Sequence, residues 1–290
     1  MSEHRILRPA WVDLGRVSLR YAVSGAPDPD TPPIVLLHEM AASMETWEPA
    51  IEILARDHHV IAYDWRGCGG SEKVVGSVSM DDHVEDLKAL LDMLNLGRKP
   101  VIAGIAVGGA IASSFAAAYP DVIAGLIIIC PAMGIAAESA PARLAYIKRL
   151  EEGGMRSVVD ESLAGGYPEQ FRVGREQKFA EFRARWISGD AASFAATFRM
   201  LMALDMPTVL ARIACPTLAV AGEYDPNRTP EYVKGVAAMI PGAALKVVPG
   251  GHHMPHQIPS ICAEFVSAFV ASLNSRQKTE TPTAQLGPTG

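Results

Sequence analysis

Short apolar runs alternate along this chain with amphipathic stretches, the pattern of a sheet covered by helices. The runs at 34–37, 60–63, 101–103, 126–129, 217–221 and 245–248 are bounded by glycine, proline and small polar residues, and predict buried, parallel strands. Before them, positions 17–21 alternate apolar and polar, which predicts a half-exposed antiparallel edge strand. Between strands, Val84, Leu87, Leu91 and Leu94 share one face of a helix over 81–94. Ser79 with Asp82 three residues on resembles a capping box for its start. A last helix is expected over 258–273, and the fold class is α/β.

The alternation breaks once. From 135 to 213 there is no strand-like run, only charged helical patterns at 143–152, 171–186 and 191–204, and two strands follow. Helices inserted between sheet strands are expected above the strands' carboxyl ends, where open α/β sheets bind ligands. The expected division is a core at 1–134, a helical cap at 135–213, the rest of the core at 214–273 and a polar, disordered tail at 274–290.

With 49% apolar residues over 290 positions, the chain has the material for a large core. A net charge of −6 is the wrong sign for nucleic acid, which calls for a concentrated positive face. No apolar run approaches the roughly 20 residues of a membrane span. Nor do the first residues show the basic-then-apolar order of a signal peptide. A cytoplasmic protein is expected. Cys68, Cys130, Cys215 and Cys262 form no C-x-x-C pair and read as reduced thiols. No Rossmann fingerprint, P-loop or ligand-spaced His/Cys cluster occurs, so neither a metal nor an organic cofactor is expected. The sequence carries no sign of oligomeric state.

The run Val101-Ile102-Ala103-Gly104-Ile105-Ala106-Val107-Gly108-Gly109-Ala110 reads as a strand, a tight turn and a helix. This is the frame of the nucleophile elbow G-x-S-x-G, with Ala106 at the centre. With Leu37-His38-Glu39-Met40 upstream and Asp64-Trp65-Arg66-Gly67-Cys68-Gly69-Gly70-Ser71 between, the chain resembles the α/β-hydrolase superfamily from its start to its tail. Within it, the 3-oxoadipate enol-lactonase-like group is most similar. That likeness lies in Glu152-Gly153-Gly154-Met155, in Cys215-Pro216-Thr217 leading to Ala221-Gly222-Glu223-Tyr224-Asp225-Pro226, and in Gly250-Gly251-His252-His253-Met254-Pro255. The resemblance implies Asp225 as triad acid, His253 as triad base with His252 a structural or exposed neighbour, and the N–H groups of Met40 and Val107 as the oxyanion hole. It implies structural roles for Asp64 and Arg66. The alternative acid position after 126–129 holds Cys130-Pro131 and offers no carboxylate.

Two positions depart from that pattern. Ala106 cannot be a nucleophile, and losing a serine there typically costs about a millionfold in turnover. Glu39 replaces the glycine of the oxyanion loop. Three explanations stand side by side: an engineered knockout, a dead enzyme kept for binding, and a site rebuilt around His253, Asp225 and Glu39. In the rebuilt site His253 activates water or takes a proton from the substrate, with Asp225 fixing its tautomer, and Glu39, its pKa raised by burial, is a general acid. Glu39 could equally pair with a cap arginine and only hold the cap. The expected activity is cleavage of an ester, an enol-lactone or a C–C bond in a small carbonyl compound. A cofactor-free lyase, decarboxylase or oxygenase, or a non-catalytic small-molecule receptor, are the alternatives. Arg143, Arg149, Arg156, Arg172, Arg175, Arg183 and Arg185 in the expected cap suit a carboxylate substrate, without indicating which points inward.

Overall fold

The computed structural model describes residues 7–135 and 137–280. Eight strands form one sheet: β1 (Ala10–Asp13), β2 (Ser18–Ser24), β3 (Ile34–Leu37), β4 (Val60–Asp64), β5 (Val101–Ile105), β6 (Gly125–Ile129), β7 (Thr217–Gly222) and β8 (Ala244–Val248). Their order is β1-β2-β4-β3-β5-β6-β7-β8, antiparallel at β1·β2 and β2·β4 and parallel from β4 onward. The central strands β3 to β6 are buried on both faces, as their unbroken apolar sequence requires. β8 differs from its expectation: Leu245 and Val247 are exposed, as are Ala244 and Lys246, because β8 is the sheet's last strand and only Val248 of it is buried.

The helices are α1 (Glu48–Leu54), α2 (Met80–Leu94), α3 (Val107–Ala118), α4 (Ala140–Gly153), α5 (Val159–Gly166), α6 (Glu176–Ile187), α7 (Ala191–Met202), α8 (Met206–Leu210), α9 (Pro230–Ala238), α10 (Met254–Gln257) and α11 (Pro259–Glu280). α2 starts on the expected reciprocal cap between Ser79 and Asp82. Two apolar cores, one on each side of the sheet, contain the inward residues of the strands, α2 and α3 on one side and α1 and α11 on the other. A third apolar cluster joins α4 to α7 with Ala41 of the β3 loop. Every regular element between β6 and β7 is helical. α11 continues to Glu280, so residues 274–280 of the expected disordered tail are helical, and 281–290 lie outside the described residues. Among the described residues no helix is long and apolar enough to cross a membrane.

Candidate active site

The parallel strands end on one edge of the sheet, and the residues that follow them assemble there. Glu39 follows β3, Ala106 follows β5, Cys130 follows β6, Asp225 follows β7, and His252 and His253 follow β8. Ala106 sits at φ 50°, ψ −112°, in the left-handed half of backbone space. A side chain there costs of order 1–3 kcal/mol and persists only where its surroundings enforce it. Here they do. Ala106 N–H donates to Ile129 O at 2.9 Å, and its carbonyl accepts from Ala110 and Ala132 N–H. A Cβ on Gly104 would lie 2.2 Å from Gly108 O, and one on Gly108 would lie 2.5 Å from His38 O. The glycines therefore let β5 turn into α3 against the β3 loop. Val107 begins α3, where N–H groups lack intrahelical acceptors and favour negative charge.

Two acid–histidine pairs flank this elbow. His252 Nδ1 lies 2.6 Å from Asp225 Oδ2, and His253 Nδ1 lies 2.8 Å from Glu39 Oε1. The expected His253–Asp225 pair is thus corrected. Consecutive residues of an irregular turn aim their side chains differently: the rings of His252 and His253 are nearly perpendicular at 85°, 5.3 Å apart. His252 is tied by its own N–H to Gly166 O and reaches the β7 loop. His253 instead packs on Phe182 and Tyr167 of the helical insertion and reaches Glu39. Spacing alone could not separate the two, although the doubled histidine was the visible signal.

Asp225 is 2% exposed. Burial pushes its pKa up, but the charge and hydrogen bond of His252, with the N–H of Asn227, outweigh burial and hold it well below the carboxylate range. With Nδ1–H donated to that carboxylate, Nε2 of His252 carries the basic lone pair.

Glu39, 1% exposed, also departs from expectation. Burial does push its pKa up, but the His253 hydrogen bond and charge prevail and the net shift is downward. That direction, opposite to the one expected from burial alone, favours a carboxylate that accepts from His253. Thr46 Oγ1 donates to the same Oε1 at 3.3 Å, while Oε2 is buried with no partner among the described residues.

Cys130 was missed as a neighbour of this chemistry. Its Sγ, an Asp225 oxygen and a His252 nitrogen lie within 4.8 Å of one another. The three come from distant positions, so no sequence spacing marks them. Burial, then the Asp225 charge, pushes the Cys130 thiol well up. Asp64 and Arg66 are braces. Asp64 accepts from Met44 and Gly70 N–H and from Arg20, and Arg66 forks onto Asp86.

Two narrow crevices separate the β3 loop from the insertion. One is lined by Met40, Trp65, Cys68, Met155 and Phe194, among others, and the second by Ser43, Thr46, Phe182, Arg185 and Trp186; both share Ala41 and Ala42. Met40 lines the first, whereas Ala106 and Val107 line neither and are 6% and 3% exposed. Of the arginines in question, Arg149 and Arg183 pair with Glu161 and Asp160 at the surface. Arg172 and Arg175 donate to backbone carbonyls of Tyr167, Leu163 and Gln257. Arg143 and Arg156 are exposed, and Arg185 lines the second crevice.

A mostly parallel sheet, an elbow at the end of β5, and an acid and a histidine after the last two strands define the α/β-hydrolase class. Residues 34–265 match the Alpha/beta hydrolase family, and the chain belongs to it. It is 25% identical over 258 residues to 3-oxoadipate enol-lactonase 2 of Acinetobacter baylyi, covering 89% of this chain and 95% of that one. It is 26% identical over 280 residues to 2-(acetamidomethylene)succinate hydrolase of Mesorhizobium japonicum, covering 93% and 96%. The enol-lactonase of Burkholderia xenovorans superposes with a TM-score of 0.83 at 22% identity, over 90% of this chain and all (100%) of that chain.

Proposed function

We propose that the protein hydrolyses a small ester, enol-lactone or related acyl compound by direct attack of water, with no acyl-enzyme on residue 106. The observation that carries this reading is the Asp225–His252 pair beside an elbow that keeps its strained geometry around an alanine. Water takes the place a serine oxygen would have. Nε2 of His252 removes a proton as the water oxygen bonds to the carbonyl carbon, and Asp225 holds the imidazolium that forms. The oxyanion develops toward the N–H groups of Val107 and Met40, at the positive end of α3. When the bond to the leaving group breaks, His252 returns its proton to that group. The products are a carboxylic acid and an alcohol, enol or amine. The helices between β6 and β7 serve as the cap, and the doubled pair Glu39–His253 fixes the β3 loop against them.

Kinetics of four variants test the assignment. His252→Gln lowers kcat by about 10²- to 10⁴-fold, the scale of a lost general base. Glu39→Gln and His253→Gln lower it less, and Ala106→Ser brings no large gain because the water site is filled. A gain of several orders of magnitude in Ala106→Ser, with labelling of residue 106 by serine reagents, overturns the reading. The unpartnered Oε2 of Glu39 favours a second reading, removal of a substrate C–H proton by that carboxylate. It reverses the order, with Glu39→Gln the most damaging.

A further inference from the structure

We propose that Cys130, Asp225 and His252 form a site for zinc or a cation of like chemistry, and that the bound ion shuts the centre off by occupying Nδ1 of His252. The shut-off rests on His252 being the base, as proposed above; the metal site does not. Three adjacent strands deliver the ligands. β6 pairs with β7 through Ile129 and Val220, and β7 with β8 through Gly222 and Val248, so the residues that follow them meet at one corner of the sheet edge. Cys130 is held there by its N–H, which donates to Val220 O at 2.9 Å. Its Sγ, a carboxylate oxygen of Asp225 and a nitrogen of His252 fall within 4.8 Å of one another. Ligand atoms around a tetrahedral zinc stand roughly 3.3–3.6 Å apart, given bonds of about 2.0–2.3 Å. His252 Nδ1 and Asp225 Oδ2, at 2.6 Å, therefore have to part by about 1 Å or less to admit the ion. Asp225 is already oriented for this. Its Oδ1 accepts from the N–H groups of Asn227 and Arg228 at 2.9 and 3.0 Å, which fixes the carboxylate and leaves Oδ2 turned to the ring. The His252 side chain is 17% exposed and gives the ion its way in, with Cys130 and Asp225 buried behind it.

The donors select the ion. A thiolate and an imidazole suit zinc and similar metals, and one carboxylate is too little oxygen for magnesium or calcium. The charge of Arg228 reaches Cys130 and opposes a cation, but thiolate and carboxylate together outweigh it. Burial and the Asp225 charge keep the Cys130 thiol protonated, and the ion displaces that proton to solvent. The ring loses none: with the ion on Nδ1, the N–H proton moves to Nε2. Nε2 then has no lone pair to offer water, and the base stays idle while the ion is bound.

Titration of the chelator-treated full chain with Zn²⁺, Co²⁺ and Mg²⁺ tests the site. Zn²⁺ and Co²⁺ should each bind once per chain and Mg²⁺ not at all, and Co²⁺ should give a thiolate-to-cobalt charge-transfer band. Cys130→Ser keeps the size of the side chain and should fold as the wild type does. It should nevertheless lose that band and weaken zinc binding by at least about 100-fold, more than loss of an outer partner costs. His252→Gln should weaken it as much, while Cys215→Ser and His253→Gln leave it unchanged. Nitrogen-15 NMR should show the His252 proton pass from Nδ1 to Nε2 as zinc is added. A band that survives Cys130→Ser, equal weakening in Cys215→Ser, or no one-to-one binding to the wild type each overturns the site. Phenyl acetate hydrolysis separates the two readings, since it should fall in step with zinc occupancy and return when chelator is added. If zinc binds through all three residues while turnover holds or rises, the shut-off fails together with the role of His252 as base, and the metal site stands.

Discussion

At the scale of single residues, the site depends on which of two neighbouring histidines faces which acid. The motif Gly250-Gly251-His252-His253 stands out in the sequence as a candidate site loop, but the direction of each ring is fixed by contacts from elsewhere. Gly166 O holds the backbone of His252, and Phe182 and Tyr167 hold the ring of His253. Glu39 was legible as an anomaly but not as a partner of His253, because the partner lies 214 positions away. Its lowered pKa follows from that partner, and burial alone points the other way. Gly108 shows the same dependence on close approach. Gly108→Ala must push the His38 carbonyl aside, at a cost of about 1–3 kcal/mol, which urea unfolding would measure. A Gly108→Ala protein of unchanged stability would mean that the β3 loop does not press on α3 as described.

Elements were read best where local pattern and burial agree. β3 occupies 34–37 as expected, since a strand buried on both sides shows an uninterrupted apolar run. β1 has no such run, only an alternation of half-exposed and exposed positions, and its apolar pattern is too short to stand out. β8 shows why an apolar run does not fix depth: the edge position leaves two of its apolar side chains in water. α2 was legible down to its cap because capping is a local interaction. Ser79→Ala should lower stability by about 1 kcal/mol, and Ser79→Asp should restore most of it, both read from urea midpoints. The docking of the insertion on the histidine loop is non-local and left no trace in the sequence. There Gly166 O receives both His252 N–H and Gln257 Nε2, and Tyr167 O–H meets His256 Nδ1 at 2.9 Å.

Across the whole molecule, buried titratable groups set the response to acid. His83 and His256 are held neutral, their pKa values pushed from 6.5 down to about 3, chiefly by burial. A depressed histidine contributes stability above its unfolded pKa and loses it as pH falls toward the folded value, so decline begins near 6.5 and continues to about 3. Glu45, pushed up by burial but held at about 2 by Arg20, extends the loss from its ordinary 4.5 downward. His83 has no hydrogen-bond partner for either ring nitrogen among the described residues. His83→Leu should therefore flatten the fall in urea midpoint between pH 6.5 and 3, and an unaltered slope would refute its part. The catalytic claim concerns what the folded molecule does at residue 106, and it is tested most directly by rapid-quench mass analysis of a single turnover in ¹⁸O-water. Direct attack predicts one ¹⁸O in the released acid, an intact chain with no added mass at any time point, and loss of the signal in His252→Gln. An acyl adduct on the chain that forms and decays at the turnover rate would contradict it.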